Sequence, residues 1–301
     1  MNILVTGAWR EAEENLNTLE EMGMNVLFLK NEWDSLPCEY NWVEAVICNS
    51  LFLHHPIERF ENLRYIQLTS AGMDRIPVDY INEHGIKLFN AKGVYSIPVA
   101  EFVLSSVLNV YKATSFFYKN QKKHIWVKKY NLMELSDKNV CILGCGEVGT
   151  ECAKRFKAFG CTVIGVNRTA YDNSWFDKIR PLSELNECLS EADIIVISIA
   201  LTNETAHMIN KDNLKYVKDG AVIVNVSRGK IINNADLLAV IEEKDLKVVL
   251  DVFENEPLKN DDPLWETRGV YLTPHNSYSG DHNSKRMKSL FFANLEKIIT
   301  E

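Results

Sequence analysis

Apolar residues in this chain fall into short β-branched runs separated by amphipathic stretches. In the first third the runs are at 3–6, 26–29, 45–48, 65–68 and 87–89. Polar amphipathic segments such as 11–22 and 56–61 lie between them. This alternation predicts parallel strands joined by crossover helices. A long helical pattern follows over 99–118, its start marked by Ser96 and Pro98. Residues 119–137 are basic, then aromatic and polar, and fit neither period. A second series then begins, at 140–143, 162–166, 194–199, 222–226 and 246–250. Its runs are nearly continuous in apolarity, which suits strands buried on both faces. Lys247 interrupts only the last. The tail at 282–299 is helical, with Leu290, Phe291, Leu295 and Ile298 as its apolar stripe.

The length, 301 residues, suits two domains, and 46% apolar with 25% charged residues leaves material for two cores. Lys and Arg number 33 against 41 Asp and Glu, a net charge of −8. Such a chain is a poor general binder of nucleic acid or anionic membrane, although a local basic pocket stays possible. No apolar stretch approaches the ~20 residues of a membrane span. The opening residues read as a first strand and not as a signal peptide. Seven cysteines are scattered along the chain, and Cys48, Cys141, Cys152 and Cys161 lie in apolar runs. They are expected to be reduced and buried, as in a cytoplasmic protein. The spacing of Cys141, Cys145, Cys152 and Cys161 has no paired-cysteine signature, so no metal site is expected.

The first chemically informative segment is the strand at 140–143 running into Gly144-Cys145-Gly146-Glu147-Val148-Gly149. Gly144 permits a tight turn, Gly146 lets the backbone approach a pyrophosphate, and Gly149 lets the helix pack on the strand. In the helix that follows, Val148, Cys152, Ala153, Phe156 and Phe159 share one face, and Gly160 supplies a stop. Strand, loop, helix and next strand fall in the order that a dinucleotide site requires. The next strand ends in Asn167-Arg168-Thr169, where an acidic residue would bind the ribose 2′-hydroxyl of NAD. That acid is absent, whereas Arg168 could pair with a 2′-phosphate and Thr169 donate to it. NADP(H) is therefore the preferred cofactor. NAD(H) stays possible if Arg168 is a solvated loop residue or stacks on adenine.

Three later segments carry titratable groups just after strand-like runs: Ser227-Arg228-Gly229, Asp251 through Glu256, and Pro274-His275-Asn276. In an open parallel sheet, ligands bind beyond the carboxyl ends of the strands, so Arg, Glu and His could converge there. With these motifs, and with Thr69-Ser70-Ala71-Gly72-Met73-Asp74 and Val99-Ala100-Glu101, the chain resembles the D-isomer-specific 2-hydroxyacid dehydrogenases nearly end to end. The resemblance implies a Rossmann-type doubly wound parallel sheet with a second, smaller flavodoxin-like α/β domain. The dinucleotide-binding domain would be 100–275, inserted in a substrate domain built from 1–99 plus 276–301. It also implies a homodimer, with 119–137 as the dimer arm.

By position, Arg228 would bind the substrate carboxylate and polarise the C2 carbonyl. His275 would be the general acid in reduction and the base in oxidation, hydrogen-bonded to Glu256. The backbone N–H groups of Ala71 and Gly72 would receive the carboxylate. Asp251 would contact the nicotinamide carboxamide or brace Arg228. Glu147 and Val148 would lie against the pyrophosphate. Leu201, Thr202 and Thr205 would line the adenosine side, and Val226 and Ser227 the nicotinamide side.

The segment after His275, Asn276-Ser277-Tyr278-Ser279-Gly280, departs from the small apolar run expected of the family. Residues 121–126 are similar to the glyoxylate/hydroxypyruvate reductase branch, and Trp126 is a candidate to close a neighbouring subunit's pocket. Two other readings stay open. One is a dinucleotide-sensing module of the same fold without turnover. The other is a dehydrogenase acting on formate or on a phosphorylated hydroxyacid, for which Arg10, Arg75 and Lys92 are candidate anion binders. His54 and His55 read as a solvated loop.

Overall fold

The structure is a computed structural model that describes residues 1–299. The last two residues of the expected 276–301 segment lie outside the described residues. The chain divides into two compact units, Met1–Tyr95 with the C-terminal segment from Gly280, and Ser96–Ser279.

The first unit carries strands β1 (Asn2–Thr6), β2 (Asn25–Leu29), β3 (Ala45–Cys48), β4 (Tyr65–Leu68) and β5 (Lys87–Phe89). They form one parallel sheet in the order β2-β1-β3-β4-β5, the flavodoxin-like order. Side chains alternate across it, as the two-residue period of a strand demands. Ile3, Val5, Ala45 and Ile47 pack with Trp9, Leu19, Phe291 and Leu295 on one face. Leu4, Val46, Cys48, Ile66 and Leu68 pack with Leu51, Phe60 and Ile81 on the other. Helix α1 (Ala12–Glu21) and the C-terminal helix Asn283–Ile299 cover the first face; α2 (Val78–Glu83) sends Ile81 to the second. The carboxyl ends of β1 and β3 are joined through Glu32. This buried carboxylate accepts from Thr6 Oγ1 at 2.9 Å, Asn49 N at 2.6 Å, and Ser50 N and Oγ at 2.7 Å each.

The second unit opens with α3 (Ser96–Tyr111) and α4 (Thr114–Lys122). Then come β6 (Asn139–Leu143), α5 (Glu147–Ala158), β7 (Thr162–Asn167), β8 (Lys178–Pro181), α6 (Leu185–Glu191) and β9 (Ile194–Ile197). The series ends with α7 (Lys211–Leu214), β10 (Val222–Asn225), α8 (Asn234–Ile241), β11 (Lys247–Leu250) and β12 (Val270–Leu272). All seven strands are parallel, in the order β12-β11-β10-β9-β6-β7-β8. Counted from β6, this is the doubly wound Rossmann order extended by one strand. Val140, Ile142, Ile194, Val196, Val222 and Val224 face α3 and α5. Cys141, Leu143, Ile195, Ile197, Ile223, Val248 and Leu250 face α6 and α8.

The structure corrects four local expectations. The helical pattern at 99–118 is two helices, because Ala113 is left-handed (φ 51°) and breaks the run. The irregular segment begins only after Lys122, since α4 extends to that residue. Edge strand β8 adds an element to the sequence expectation: Lys178 and Arg180 flank the single buried Ile179 and give little apolar signal. Phe159, placed on the apolar face of α5, is 45% exposed, because the helix ends at Ala158 before Phe159 can turn inward. All seven cysteines are free thiols, and Cys38 alone among them is not fully buried. No helix among the described residues is long and apolar enough to cross a membrane.

These placements separate two phenylalanines. Phe291 is wholly buried against Trp9, with ring centroids 5.2 Å apart, so Phe291→Ala should lower the unfolding free energy by about 3–5 kcal/mol in urea titration. Phe159→Ala should change it by no more than about 0.5 kcal/mol.

Candidate functional site

In the second unit, parallel pairing brings the carboxyl ends of all strands to one edge of the sheet. In spatial order that edge presents His275 after β12, Asp251 and Glu256 after β11, and Arg228 after β10. Next come residues 201–205 after β9, the glycine loop after β6, and residues 167–169 at the end of β7. At about 4.8 Å per strand, β12 and β7 stand roughly 24 Å apart across five spacings.

The glycine loop has the geometry its sequence demands. Gly144 is at φ 94°, and a Cβ there would lie 2.6 Å from Ile199 Cα. A Cβ on Gly149 would lie 2.0 Å from the Gly144 carbonyl oxygen, so only glycine lets α5 pack this closely. Gly146 differs, because a Cβ there would point into open space. Gly146 is also the N-cap of α5, and no side chain caps that helix. Open space against an uncapped helix start, with Glu147 and Val148 as its first residues, fits a pyrophosphate. Two braces unseen in the sequence hold the loop: Ser198 Oγ donates to Gly144 O at 2.9 Å, and Tyr171 Oη to Cys145 O at 2.6 Å.

At the β7 end, Arg168 pairs with Glu204 at 3.4 Å. Thr205 is buried and its hydroxyl is committed within its own loop. It donates to Ala200 O at 2.7 Å and accepts from Thr202 N at 2.8 Å. These bonds shape the loop, and Leu201 packs partly into the core. On the β10 side, Ser227 Oγ donates to Ile199 O, and Val226 packs partly against the core.

The Arg228 and Glu256 segments are packed backbone to backbone, and side-chain carboxylates tie the His275 segment to them. A Cβ on Gly229 would fall 1.8 Å from Phe253 C, so the Arg228 loop rests directly on the Glu256 loop. Arg228 Nη1 donates to Ser227 O at 2.8 Å, and the Arg228 carbonyl accepts from buried Asn225 Nδ2 at 3.0 Å. His275 Nδ1 lies 2.7 Å from Glu256 Oε2, and Glu256 Oε1 accepts from Phe253 N at 3.0 Å. A carboxylate partner makes Nδ1–H the donor and leaves Nε2 as the nitrogen for chemistry. The ring is about one-third exposed, and Tyr278 stands edge-on to it at 6.2 Å.

Asp251, directly after β11, lies beneath the His275 loop. It is fully buried, and its oxygens accept from Thr273 Oγ1 at 2.6 Å, Asn276 N at 2.9 Å and Ser277 N at 2.9 Å. Its carboxylate therefore clasps the loop on both sides of His275. The expected contacts of Asp251, to the nicotinamide carboxamide or to Arg228, are not among these hydrogen bonds. His275 itself sits at φ 49°, a strained conformation that the clasp sustains.

In the first unit, the Ala71–Gly72 segment follows β4. Ser70 Oγ donates to Gly72 O and Asn90 Nδ2 to Ala71 O, each at 2.9 Å. The carbonyls are thus engaged, while neither N–H has an acceptor among the described residues. Of the candidate anion binders, Arg75 lines a cavity of about 440 Å³ with His54, Glu58 and Asp74; Arg10 and Lys92 do not line it. His55 is buried and held by Tyr40 Oη and Asp34 O at 3.1 Å each, so it is structural.

The two glycines predict opposite outcomes. Gly149→Ala should destabilise the protein by about 1–3 kcal/mol in chemical denaturation, by overpacking against Gly144. Gly146→Ala should leave the unfolding midpoint unchanged and weaken dinucleotide binding by calorimetry, because its Cβ would intrude where a pyrophosphate must approach.

The family model for the D-isomer specific 2-hydroxyacid dehydrogenase NAD binding domain matches residues 104–277. A D-3-phosphoglycerate dehydrogenase of Methanocaldococcus jannaschii is 31% identical over 81% of this chain and 47% of its own length. A hydroxypyruvate reductase of Blautia hydrogenotrophica is 30% identical over 80% of this chain and 77% of its own. The chain thus spans about half of the first relative and three-quarters of the second. Among solved structures, a glyoxylate reductase from Paecilomyes thermophila superposes with a TM-score of 0.87 at 25% identity, covering 99% of this chain and 95% of that one. A family protein from Aeromonas salmonicida gives 0.85 at 28% identity with the same coverage. Matched over more than half its length by the family model, and carrying both expected sheets, the chain belongs to the D-isomer specific 2-hydroxyacid dehydrogenase family.

Proposed function

We propose that this protein reduces a small 2-oxo acid to the D-2-hydroxy acid, with NADP(H) preferred and NAD(H) usable. The observation that carries the reading is the His275–Glu256 pair at 2.7 Å, on a loop clasped by Asp251 and at the same sheet edge as the glycine loop. When bound, the nicotinamide supplies a hydride to C2 of the substrate. The chain's own groups do the rest.

Arg228 offers fixed positive charge to the substrate carboxylate and to the C2 carbonyl oxygen as negative charge develops there. His275 gives a proton from Nε2 to that oxygen, and takes it back in the oxidative direction. Glu256 holds Nδ1–H, which fixes the ring's orientation and balances the imidazolium. Asp251 acts one step further out, by keeping the His275 backbone in its left-handed conformation. In the first unit, the N–H groups of Ala71 and Gly72, which have no acceptor among the described residues, suit the binding of an anion. Gly144, Gly146, Gly149, Glu147 and Val148 hold the pyrophosphate. Thr202 and Leu201 flank the adenosine, Val226 and Ser227 the nicotinamide, and Asn167, Arg168 and Thr169 the 2′ position.

We also propose a homodimer in the cytoplasm, joined through the arm after α4. Trp126 is 95% exposed and Tyr130 83% exposed there, around a groove of about 670 Å³ that Phe117, Ile125 and Lys129 also line. Such an aromatic patch suits burial against a second copy. The relatives named hydroxypyruvate and glyoxylate reductase support small 2-oxo acids as substrates.

His275→Ala should abolish turnover while dinucleotide affinity, measured by fluorescence titration, stays within about twofold. Turnover at the parent rate would remove His275 from the proton transfer. Arg168→Ala should weaken NADPH about tenfold and NADH less than about twofold. Equal losses for both would remove Arg168 from 2′-phosphate binding.

A further inference from the structure

The strand that follows the glycine loop ends in Asn167, which lacks the carboxylate that would accept a hydrogen bond from a ribose 2′-hydroxyl. A carboxylate nevertheless reaches this corner from another strand. β6 lies between β7 and β9, so the loops after β7 and β9 flank the glycine loop on both sides. Arg168 comes from the first and Glu204 from the second, and Arg168 Nη2 meets Glu204 Oε2 at 3.4 Å. The pair forms across the loop that seats the dinucleotide.

The side chains are 74% and 73% exposed, so the ion pair itself contributes little stability. What the fold builds is the pair of backbones. Thr205, adjacent to Glu204, is buried, and its hydroxyl fixes the turn through Ala200 O and Thr202 N. Asn167, adjacent to Arg168, is paired with Pro181 at the end of β7. Ser198 ties the start of the β9 loop to Gly144 O at 2.9 Å. Arg168 and Glu204 are therefore held within reach of the same ligand position, with opposite charge.

We propose that Glu204 is a specificity-determining residue for the cofactor. It accepts from the ribose 2′-hydroxyl of NAD(H), in place of the acid missing at 167. Against NADP(H) it acts twice, by repelling the 2′-phosphate and by occupying the guanidinium that would bind it. Arg168 and Glu204 thus oppose each other, and their balance sets how strongly NADP(H) is favoured. The proposal rests on the reading that the Gly144 loop seats a nicotinamide dinucleotide.

The test is calorimetric titration of the full chain at low salt with 2′,5′-ADP and 5′-AMP, fragments with and without the 2′-phosphate. Glu204→Gln should tighten 2′,5′-ADP about fivefold and weaken 5′-AMP, the scale expected of one exposed charge. That shift should shrink at high salt, as screening shortens the reach of the carboxylate. Arg168→Ala should move the ratio of the two affinities the other way. A ratio within about twofold of the parent in Glu204→Gln, while Arg168→Ala still moves it, overturns the role of Glu204 and leaves that of Arg168 standing. Failure of the parent to bind either fragment removes the dinucleotide reading itself, and this proposal with it.

Discussion

Parallel pairing of seven strands is the constraint on which the rest of the second unit depends. Parallel strands need crossover connections, so every strand runs the same way and every carboxyl end reaches the same edge. Six of those ends carry the glycine loop, the Arg168 and Glu204 loops, and the segments bearing Arg228, Glu256 and His275. Residues as far apart as Gly144 and His275 thereby share one line of loops. The sheet can be parallel because both of its faces are apolar and covered, by α3 and α5 on one side and by α6 and α8 on the other.

On that edge, placement is finished by a few close backbone approaches and one buried carboxylate. Gly149 brings α5 against the Gly144 peptide, and Gly229 brings the Arg228 loop against Phe253. Asp251 then fixes the loop around His275 through Thr273, Asn276 and Ser277. Each partner is held by contacts within the chain itself, and such advance placement of an acid and a cation favours proton transfer to a developing alkoxide. The first unit uses a similar device, in which Glu32 gathers the ends of β1 and β3.

Much of this was legible in the sequence, for physical reasons. Strands buried on both faces read as unbroken apolar runs, so β6, β9 and β10 were evident. The glycine loop was evident because each glycine answers a separate steric demand. Charged edge strand β8 was not, since only Ile179 is buried. The break at Ala113 was also hidden, because alanine favours helix and its left-handed backbone is imposed by the fold. The hydrogen bonds of Asp251 could not be read, since its partners lie 22 to 26 residues away. Glu204 leaves no signal for the same reason, 36 residues from Arg168. Side-chain pairings between the ends of different strands leave no local signature.

Under the proposed function, this edge is a hydride-transfer site with a proton donor at His275. The most direct test of that reaction is loss of reduced-nicotinamide absorbance with purified protein, with NADPH and NADH each offered glyoxylate, hydroxypyruvate, pyruvate and bulkier 2-oxo acids. Consumption of either cofactor with one of the small 2-oxo acids, faster with NADPH, is the predicted result. Binding of a dinucleotide without consumption by any of these acids would contradict it.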